Sequence, residues 1–230
     1  MAIAAPSDPA KFEQAVAWFR KRVPIADHVW ETLDADQQRK AFKVAGVANL
    51  DLVAQVHDAL TRAVENGTTL ADFKKAIGDK LRASWAGAVD NPPARIETIF
   101  RTNVQLAYGA GRYQQMTDPA VAKFRPYFHL DTIADQRQSP ICAALTTPPV
   151  CLPQDDPFWD THIPPLHHRC RSGLRALRKS QAAALGITTT APVEVIAGDG
   201  FGGRPGESEW EPDISKYPRS LVAEFKKKRP

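Results

Sequence analysis

The sequence has no apolar run that approaches the roughly 20 residues needed to span a membrane. Its first residues, Met1–Pro6, carry neither a basic segment nor a long apolar segment, so we expect no signal peptide. Cysteine is scarce, since 3 residues in a chain of 230 are too few for a disulfide scaffold and the odd number leaves one unpaired. These absences predict a protein that is made in a reducing cytoplasm and is not bound to a membrane.

A strong charge of one sign is also missing, because the net charge is only +4. Hydrophobic residues make up 43% and charged residues 24%, as in globular proteins with a sizeable core in one or two domains. The basic residues are clustered, however, and one group consists of Arg169, Arg171, Arg175 and Arg178. Such a cluster is commonly a solvated surface, but it can also neutralise phosphates, so these four arginines are candidate contacts to nucleic acid.

The first half of the chain carries apolar side chains at helical spacing. Two such stripes are Phe12, Val16, Phe19 and Val23, and Val53, Val56, Leu60 and Val64. Asn66-Gly67 indicates a helix end, and Thr69 with Asp72 forms a capping box for the next helix. Asn91-Pro92-Pro93 precedes a long helix, in which Gly109 and Gly111 would allow another backbone to approach closely.

The character of the sequence changes after Asp118. Residues 124–130 and 173–178 alternate in the manner of strands, and we expect them to pair. Between them lie prolines that prevent regular structure, at positions 148, 149, 153, 157, 164 and 165. The predicted fold class is therefore α+β, with a helical N-terminal half followed by a small sheet-containing module that has a long Pro-rich loop.

The pattern also suggests a division of the chain. It predicts a helical region over 1–92, an α+β module with a Cys/His loop over 93–185, and a flexible linker and C-terminal tail over 186–230. Residues 198–206 are rich in glycine and are interpreted as a tether. Residues 214–225 carry apolar side chains that could dock onto a partner, and 226–229 is a basic run. We expect removal of everything beyond about Leu185 to leave the fold intact.

Cysteine and histidine, although few, fall into two clusters at the ends of the Pro-rich loop. If the flanking strands pair, Cys142, His167 and Cys170 reach one end of the sheet and could hold a structural zinc ion. A fourth ligand could come from Asp135, His168 or Cys151. The alternatives are a disulfide that fastens the loop, or cysteines that are simply buried as small apolar residues.

These clusters resemble those of the phage Mu F-like and SPP1 gp7-like head morphogenesis proteins, a family of minor capsid proteins. The resemblance rests on Asp135-Gln136-Arg137, Cys142, Pro164-Pro165 and Cys170-Arg171-Ser172, and on further similar segments in the same order between about Phe12 and about Arg178. Many members of the family have cysteine where this chain has Ser139 and Ser172. If the family binds a metal there, this chain has a reduced set of ligands.

The resemblance implies a minor head protein of a tailed phage or prophage, a virion component made in the bacterial cytoplasm. It would act in procapsid assembly near the portal, by binding the portal or major capsid protein and perhaps double-stranded DNA non-specifically. No catalytic residues are apparent, because a general base and metal-binding carboxylates are not evident at suitable positions. The alternative is a metal-dependent nuclease that acts on DNA at the portal vertex.

Overall fold

The computed structural model of the chain describes residues 12–205. Its helices are α1 (Glu13–Arg20), α2 (Asp27–Trp30), α3 (Ala35–Lys40), α4 (Leu50–Asn66), α5 (Leu70–Trp85), α6 (Pro92–Thr117), α7 (Pro119–Phe124), α8 (Pro140–Ala144) and α9 (Lys179–Leu185), with a 3₁₀ helix at Pro157–Asp160. The strands are β1 (Val23–Pro24), β2 (Ala41–Phe42), β3 (Tyr127–Asp131), β4 (Cys151–Pro153) and β5 (Gly173–Leu177). The predicted α+β class is confirmed.

Helices α1, α4, α5 and the first part of α6 enclose the first core. Their ends follow the sequence signals: the Asn49 side chain caps α4, Gly67 ends it in a left-handed conformation, and Thr69 and Asp72 form the predicted capping box of α5. The apolar stripes face one another in a single buried cluster that includes Phe19, Phe42, Val53, Val56, Leu60, Phe73, Ile77, Leu81 and Ile96. Within the described residues, no helix is long and apolar enough to cross a membrane.

The stripe that ends at Val23 predicts a helix stopped by Pro24, whereas the helix in the structure ends earlier. Helix α1 ends at Arg20, and Val23–Pro24 instead pairs in parallel with Ala41–Phe42. Pro24 lacks the amide proton that a helical hydrogen bond needs, which disfavours extension of the helix. Val23 is nevertheless buried on the short strand, so the apolar period continues beyond the end of the helix.

Helix α6 is the longest helix among the described residues, with 26 residues and a length of about 39 Å. It passes closest to α1 at Gly111, where a Cβ atom would lie 2.7 Å from the backbone nitrogen of Ala15. At Gly109 a Cβ atom would lie 3.3 Å from the carbonyl oxygen of Pro164. The two glycines therefore permit the close backbone approaches that the sequence predicts.

A three-stranded antiparallel sheet in the order β4–β3–β5 forms the second region. Strands β3 and β5 pair as expected, with Tyr127 opposite Leu177 and Asp131 opposite Gly173. Strand β4 lies at the edge of the sheet, where Pro153 is tolerated because no further strand needs its missing amide proton. The face of the sheet that carries Phe128 and Leu130 covers a second core.

The second core is rich in aromatic rings. Trp159 is fully buried, donates its indole N–H to the carbonyl of Pro153 over 2.8 Å and meets Phe128 edge to face. From α6, Tyr113 and Met116 pack against the same core. Helix α6 thus contributes to both cores.

Residues 187–205 run along the module, although their composition indicates a linker. The Gly198 amide donates to the carbonyl of Leu166, and Ile163 and Gly202 form an isolated β-bridge. His162 is buried, and its Nε2 lies 2.6 Å from the carbonyl oxygen of Val195. The division at residues 92 and 185 stays a prediction. The apolar segment 214–225 and the basic run 226–229 lie outside the described residues.

Candidate metal centre

Helix α8 places the first candidate ligand. Ser139 is its N-cap and Pro140 its first residue, both of which favour a helix start. The Ser139 hydroxyl accepts a hydrogen bond from the amide of Cys142 over 3.2 Å. The cap therefore fixes the first turn, and the Cys142 side chain is buried beneath it.

A tight turn places the other two candidate ligands, His167 and Cys170. The amide of Cys170 donates to the carbonyl of His167 over 3.2 Å, and Arg169 between them adopts a left-handed conformation with φ of 59°. The Arg169 amide also donates to the Thr102 hydroxyl of α6 over 3.2 Å. This anchor holds a strained non-glycine backbone in place and directs His167 and Cys170 to the same side.

The three predicted metal ligands converge. The sulfur atoms of Cys142 and Cys170 are 3.7 Å apart, and the Cys142 sulfur is 3.2 Å from Nε2 of His167. All three ligand atoms lie within 4.8 Å of one another, and both cysteines are free thiols. This arrangement can accept a thiophilic cation or, with a small movement, a disulfide.

Ser139 and Ser172, which were not among the predicted ligands, also contact the cluster. The Ser139 hydroxyl is 2.7 Å from Nε2 of His167, and the Ser172 hydroxyl donates to the Cys142 sulfur over 3.2 Å. The sequence comparison with the resembling family identified both positions as missing cysteines. It did not indicate that the serines themselves would contact the cluster.

Hydrogen bonding shifts the pKa values of the Cys142 and Cys170 thiols in opposite directions. The pKa of Cys142 is lowered to about 4, mainly because the Cys170 thiol donates to it, with further donation from Ser172. The same contact, together with burial, raises the pKa of Cys170. These hydrogen bonds favour ionisation of Cys142, and the thiolate is the form of cysteine that binds metals.

None of the three residues proposed as a fourth ligand, Asp135, His168 and Cys151, belongs to the group formed by Cys142, His167 and Cys170. The Asp135 carboxylate binds the Arg171 guanidinium, with an oxygen–nitrogen distance of 2.8 Å, and Arg171 lowers the pKa of Asp135 to about 2. The His168 ring meets Phe201 edge to face. Cys151 belongs to a separate small cluster with Leu177 and Ala182, where burial raises its pKa.

Of the four arginines proposed to bind nucleic acid, three have acidic partners. Arg169 lies 3.1 Å from Glu97, Arg171 pairs with Asp135, and Arg175 lies 3.8 Å from Asp131. These pairs reduce the positive charge that the group presents to a phosphate backbone. Acidic residues 36 to 72 positions away provided no sequence signal for such pairing.

The chain is similar in sequence to proteins of phage Mu and of a Mu-like prophage. The family model described as Phage Mu protein F like protein matches residues 54–175, which include most of α4, all of α5 and α6, and Cys142, His167 and Cys170. Putative capsid assembly protein F of Escherichia phage Mu is 32% identical over 189 residues, which cover 76% of this chain and 42% of that protein. The Mu-like prophage FluMu F protein of Haemophilus influenzae is 29% identical over 168 residues, which cover 69% of this chain and 39% of that protein.

The chain therefore spans about two fifths of the length of the curated relatives it matches. No solved structure matches it significantly.

Proposed function

The chain belongs to the phage Mu protein F like family, and from this premise we propose that it acts in assembly of the capsid of a tailed phage or prophage. The observation that carries the proposal is the similarity to a protein named putative capsid assembly protein F, which extends over 76% of this chain. In this role the chain is a minor structural protein of the virion, made in the bacterial cytoplasm.

The proposed partners are the portal and the major capsid protein. A binding role agrees with the structure, because the acidic groups around the Cys/His cluster are engaged in ion pairs: Asp135 with Arg171 and Glu97 with Arg101 and Arg169. A carboxylate that is held by arginine is a poor general base, since its pKa is lowered. Recognition of a neighbouring protein requires no such group.

Interruption of the gene in a phage that can be complemented from a plasmid tests the role. We expect the defective phage to yield few DNA-filled heads, and the plasmid-borne chain to restore them and to be found in proheads by mass spectrometry. Co-sedimentation of the purified full chain with isolated portal and with procapsids identifies the direct partner. Normal heads without the chain, and its absence from proheads and virions, would overturn the proposal.

Contact with packaged double-stranded DNA is a separate part of the proposal. Arg175 and Arg178 are the most suitable contacts, because the Arg175–Asp131 pair is long and its side chains are about half exposed. Charge reversal at both positions is expected to weaken DNA binding and to reduce its salt dependence. Lys75→Glu on the exposed face of α5 serves as the control, and an equal loss in the control would refute a local DNA site.

A metal-dependent nuclease is the second candidate. The convergence of Cys142, His167 and Cys170 beside a small cleft lined by Arg137, Arg169 and Arg171 favours it, since three ligands and an open position are typical of catalytic zinc. Incubation of linear and supercoiled DNA with the full chain and added Zn²⁺, Mg²⁺ or Mn²⁺ separates the candidates. Cleavage that is lost in Cys142→Ser would establish the nuclease, and intact DNA would favour assembly.

A further inference from the structure

We propose that Cys142, His167 and Cys170 bind one zinc ion, whose fourth coordination position faces the cleft between Ser139 and Ser172. The proposal is independent of the role in capsid assembly, because it concerns only the chemistry of these five side chains. It also identifies the positions that could supply a fourth protein ligand, because Ser139 and Ser172 lie on the open side of the site.

The spacing of the ligand atoms fits zinc. With Zn–S of about 2.3 Å and Zn–N of about 2.0 Å, tetrahedral geometry separates two sulfurs by about 3.8 Å and a sulfur from a nitrogen by about 3.5 Å. The observed sulfur–sulfur distance is 3.7 Å, and the Cys142 sulfur lies 3.2 Å from Nε2 of His167. The Cys170 sulfur and the His167 ligand atom lie within 4.8 Å of each other, so a movement of the imidazole can admit the ion. Two sulfur ligands and one imidazole also favour zinc over magnesium or calcium.

The histidine is held in the form that a metal requires. Its Nδ1 lies 2.8 Å from the carbonyl oxygen of His168, which can only accept a hydrogen bond, so Nδ1 carries the proton. In the neutral ring, Nε2 therefore presents its lone pair to the cluster. A backbone carbonyl in this position is the usual partner of a metal-bound histidine. Without an ion, the Ser139 hydroxyl can donate to this lone pair.

The serines determine where the fourth ligand stands. Ser139 contacts the imidazole and Ser172 contacts the Cys142 sulfur, and both line the cleft together with Arg137 and Arg171. A neutral hydroxyl is a weak zinc ligand compared with a thiolate. A water molecule or a ligand from the cleft therefore completes the tetrahedron in this chain, and a cysteine at either serine would complete it from the protein.

The nearby arginines do not prevent cation binding. Arg171 is paired with Asp135, and Arg169 with Glu97 on α6. Arg137 also lies 3.8 Å from Asp135, so the three guanidinium groups that line the cleft share two carboxylates, Asp135 and Glu97. The positive charge of the ion would be compensated by the thiolates, as is usual in zinc sites that contain cysteine.

The first experiment measures zinc in the full chain purified without chelators. We expect close to one zinc per chain by mass spectrometry of the metal, and loss of at least nine tenths of it in Cys142→Ser, Cys170→Ser and His167→Ala. Cys151→Ser is the matched control, because Cys151 is equally buried but lies in a different cluster. Retention of zinc in Cys142→Ser, or its loss in Cys151→Ser to the same extent, overturns the assignment.

A second experiment does not depend on the stability of these variants. Ser139→Cys and Ser172→Cys each add a thiolate at the proposed open side, and at least one should bind zinc tenfold more tightly in competition with a coloured chelator. Co²⁺ in the same variant should show stronger thiolate charge-transfer absorption than in the unchanged chain. Unaltered affinity in both variants would show that the fourth position lies elsewhere.

Counting thiols in the unfolded chain separates zinc from a disulfide. Three reactive thiols after chelation are expected for the zinc site. A single thiol would show that Cys142 and Cys170 are joined by a disulfide, and three thiols with no bound zinc would show a cluster that binds no metal. Either result overturns the proposal.

Discussion

The two cores of this protein are held together by different means. The helical core is formed by apolar stripes that repeat at helical spacing along α1, α4, α5 and α6, whereas the module is joined through the sheet, the Cys/His cluster and the segment 187–205. Helix α6 belongs to both, with Ile96 and Ala107 in the first core and Tyr113 and Met116 against the second. The comparison shows that the region with less regular structure adds polar and backbone contacts to an apolar core that α6 helps to form.

The largest effect is expected when one buried leucine in either core is replaced by alanine. Leu60 on α4 and Leu166 in the module are both fully buried, so either leucine-to-alanine change should lower the free energy of unfolding by about 2–5 kcal/mol. Because α6 packs in both cores, we expect a single unfolding transition that moves to lower denaturant in both variants. Circular dichroism and tryptophan fluorescence during denaturation provide the measurement. Two transitions, each moved by only one variant, would show that the cores unfold separately.

A somewhat smaller effect is expected at the crossing of α1 and α6. In Gly111→Ala the new Cβ atom meets the backbone of Ala15 at 2.7 Å, so the helices must separate, at a cost of about 1–3 kcal/mol. Gly78→Ala in α5 is the control, because its Cβ atom meets only the flexible end of the Arg82 side chain at 3.4 Å. The control should be neutral or should stabilise the helix by up to about 1 kcal/mol. Equal melting temperatures for both variants would contradict the close crossing.

The difference between the cores also explains how much could be predicted. Local signals sufficed for the helices, since the Asn66-Gly67 end and the Thr69–Asp72 cap depend on neighbouring residues. Alternation also indicated strands β3 and β5 and hence the meeting of Cys142 with Cys170. By contrast, residues 187–205 contact the module through backbone hydrogen bonds and through single side chains such as Arg204, neither of which leaves a periodic pattern in the sequence.

The pairing of Asp135 with Arg171 was equally hidden. Both residues were identified from the sequence, one as a metal ligand and the other as a DNA contact, but their mutual attraction depends on the loop conformation. Helical period likewise continued through Val23, where the proline beside it changes the backbone to a short strand. Sequence periodicity therefore identified which residues are buried more reliably than which polar groups meet.

Arg204 provides a test of whether the segment 187–205 stabilises the module. Its guanidinium donates to the Asp160 carboxylate, to the Tyr113 hydroxyl and to the carbonyls of Gln154 and Asp156. Arg204→Ala should lower the free energy of unfolding by about 1–2 kcal/mol, since hydrogen bonds to a charged group are lost at a partly exposed site.

Hydrogen exchange should show the largest increase in the module, at residues 154–166, with a smaller increase in α4 and α5 through global unfolding. Arg204→Lys keeps the charge but not the planar fork, so it should recover only part of the stability. A chain that ends after Leu185 should show a larger loss, in contrast to the expectation from composition alone. Unchanged exchange in Arg204→Ala would mean that the segment contributes little to the module.

The smallest effect is expected at the ion pair beside the Cys/His cluster, which is exposed to solvent. Arg171 lowers the pKa of Asp135 to about 2 in the folded chain, from an ordinary value near 3.8. A depressed carboxyl pKa stabilises the fold above the unfolded-state pKa, and this stabilisation is lost as the pH falls through the folded-state pKa. Asp135→Asn should therefore match the unchanged chain near pH 2 and be slightly less stable at neutral pH. Acid titrations of both chains, with Asp90→Asn as a control at an exposed loop position, measure this difference. A stability difference that grows between pH 4 and pH 2 would have the wrong sign and would reject the pair as the cause.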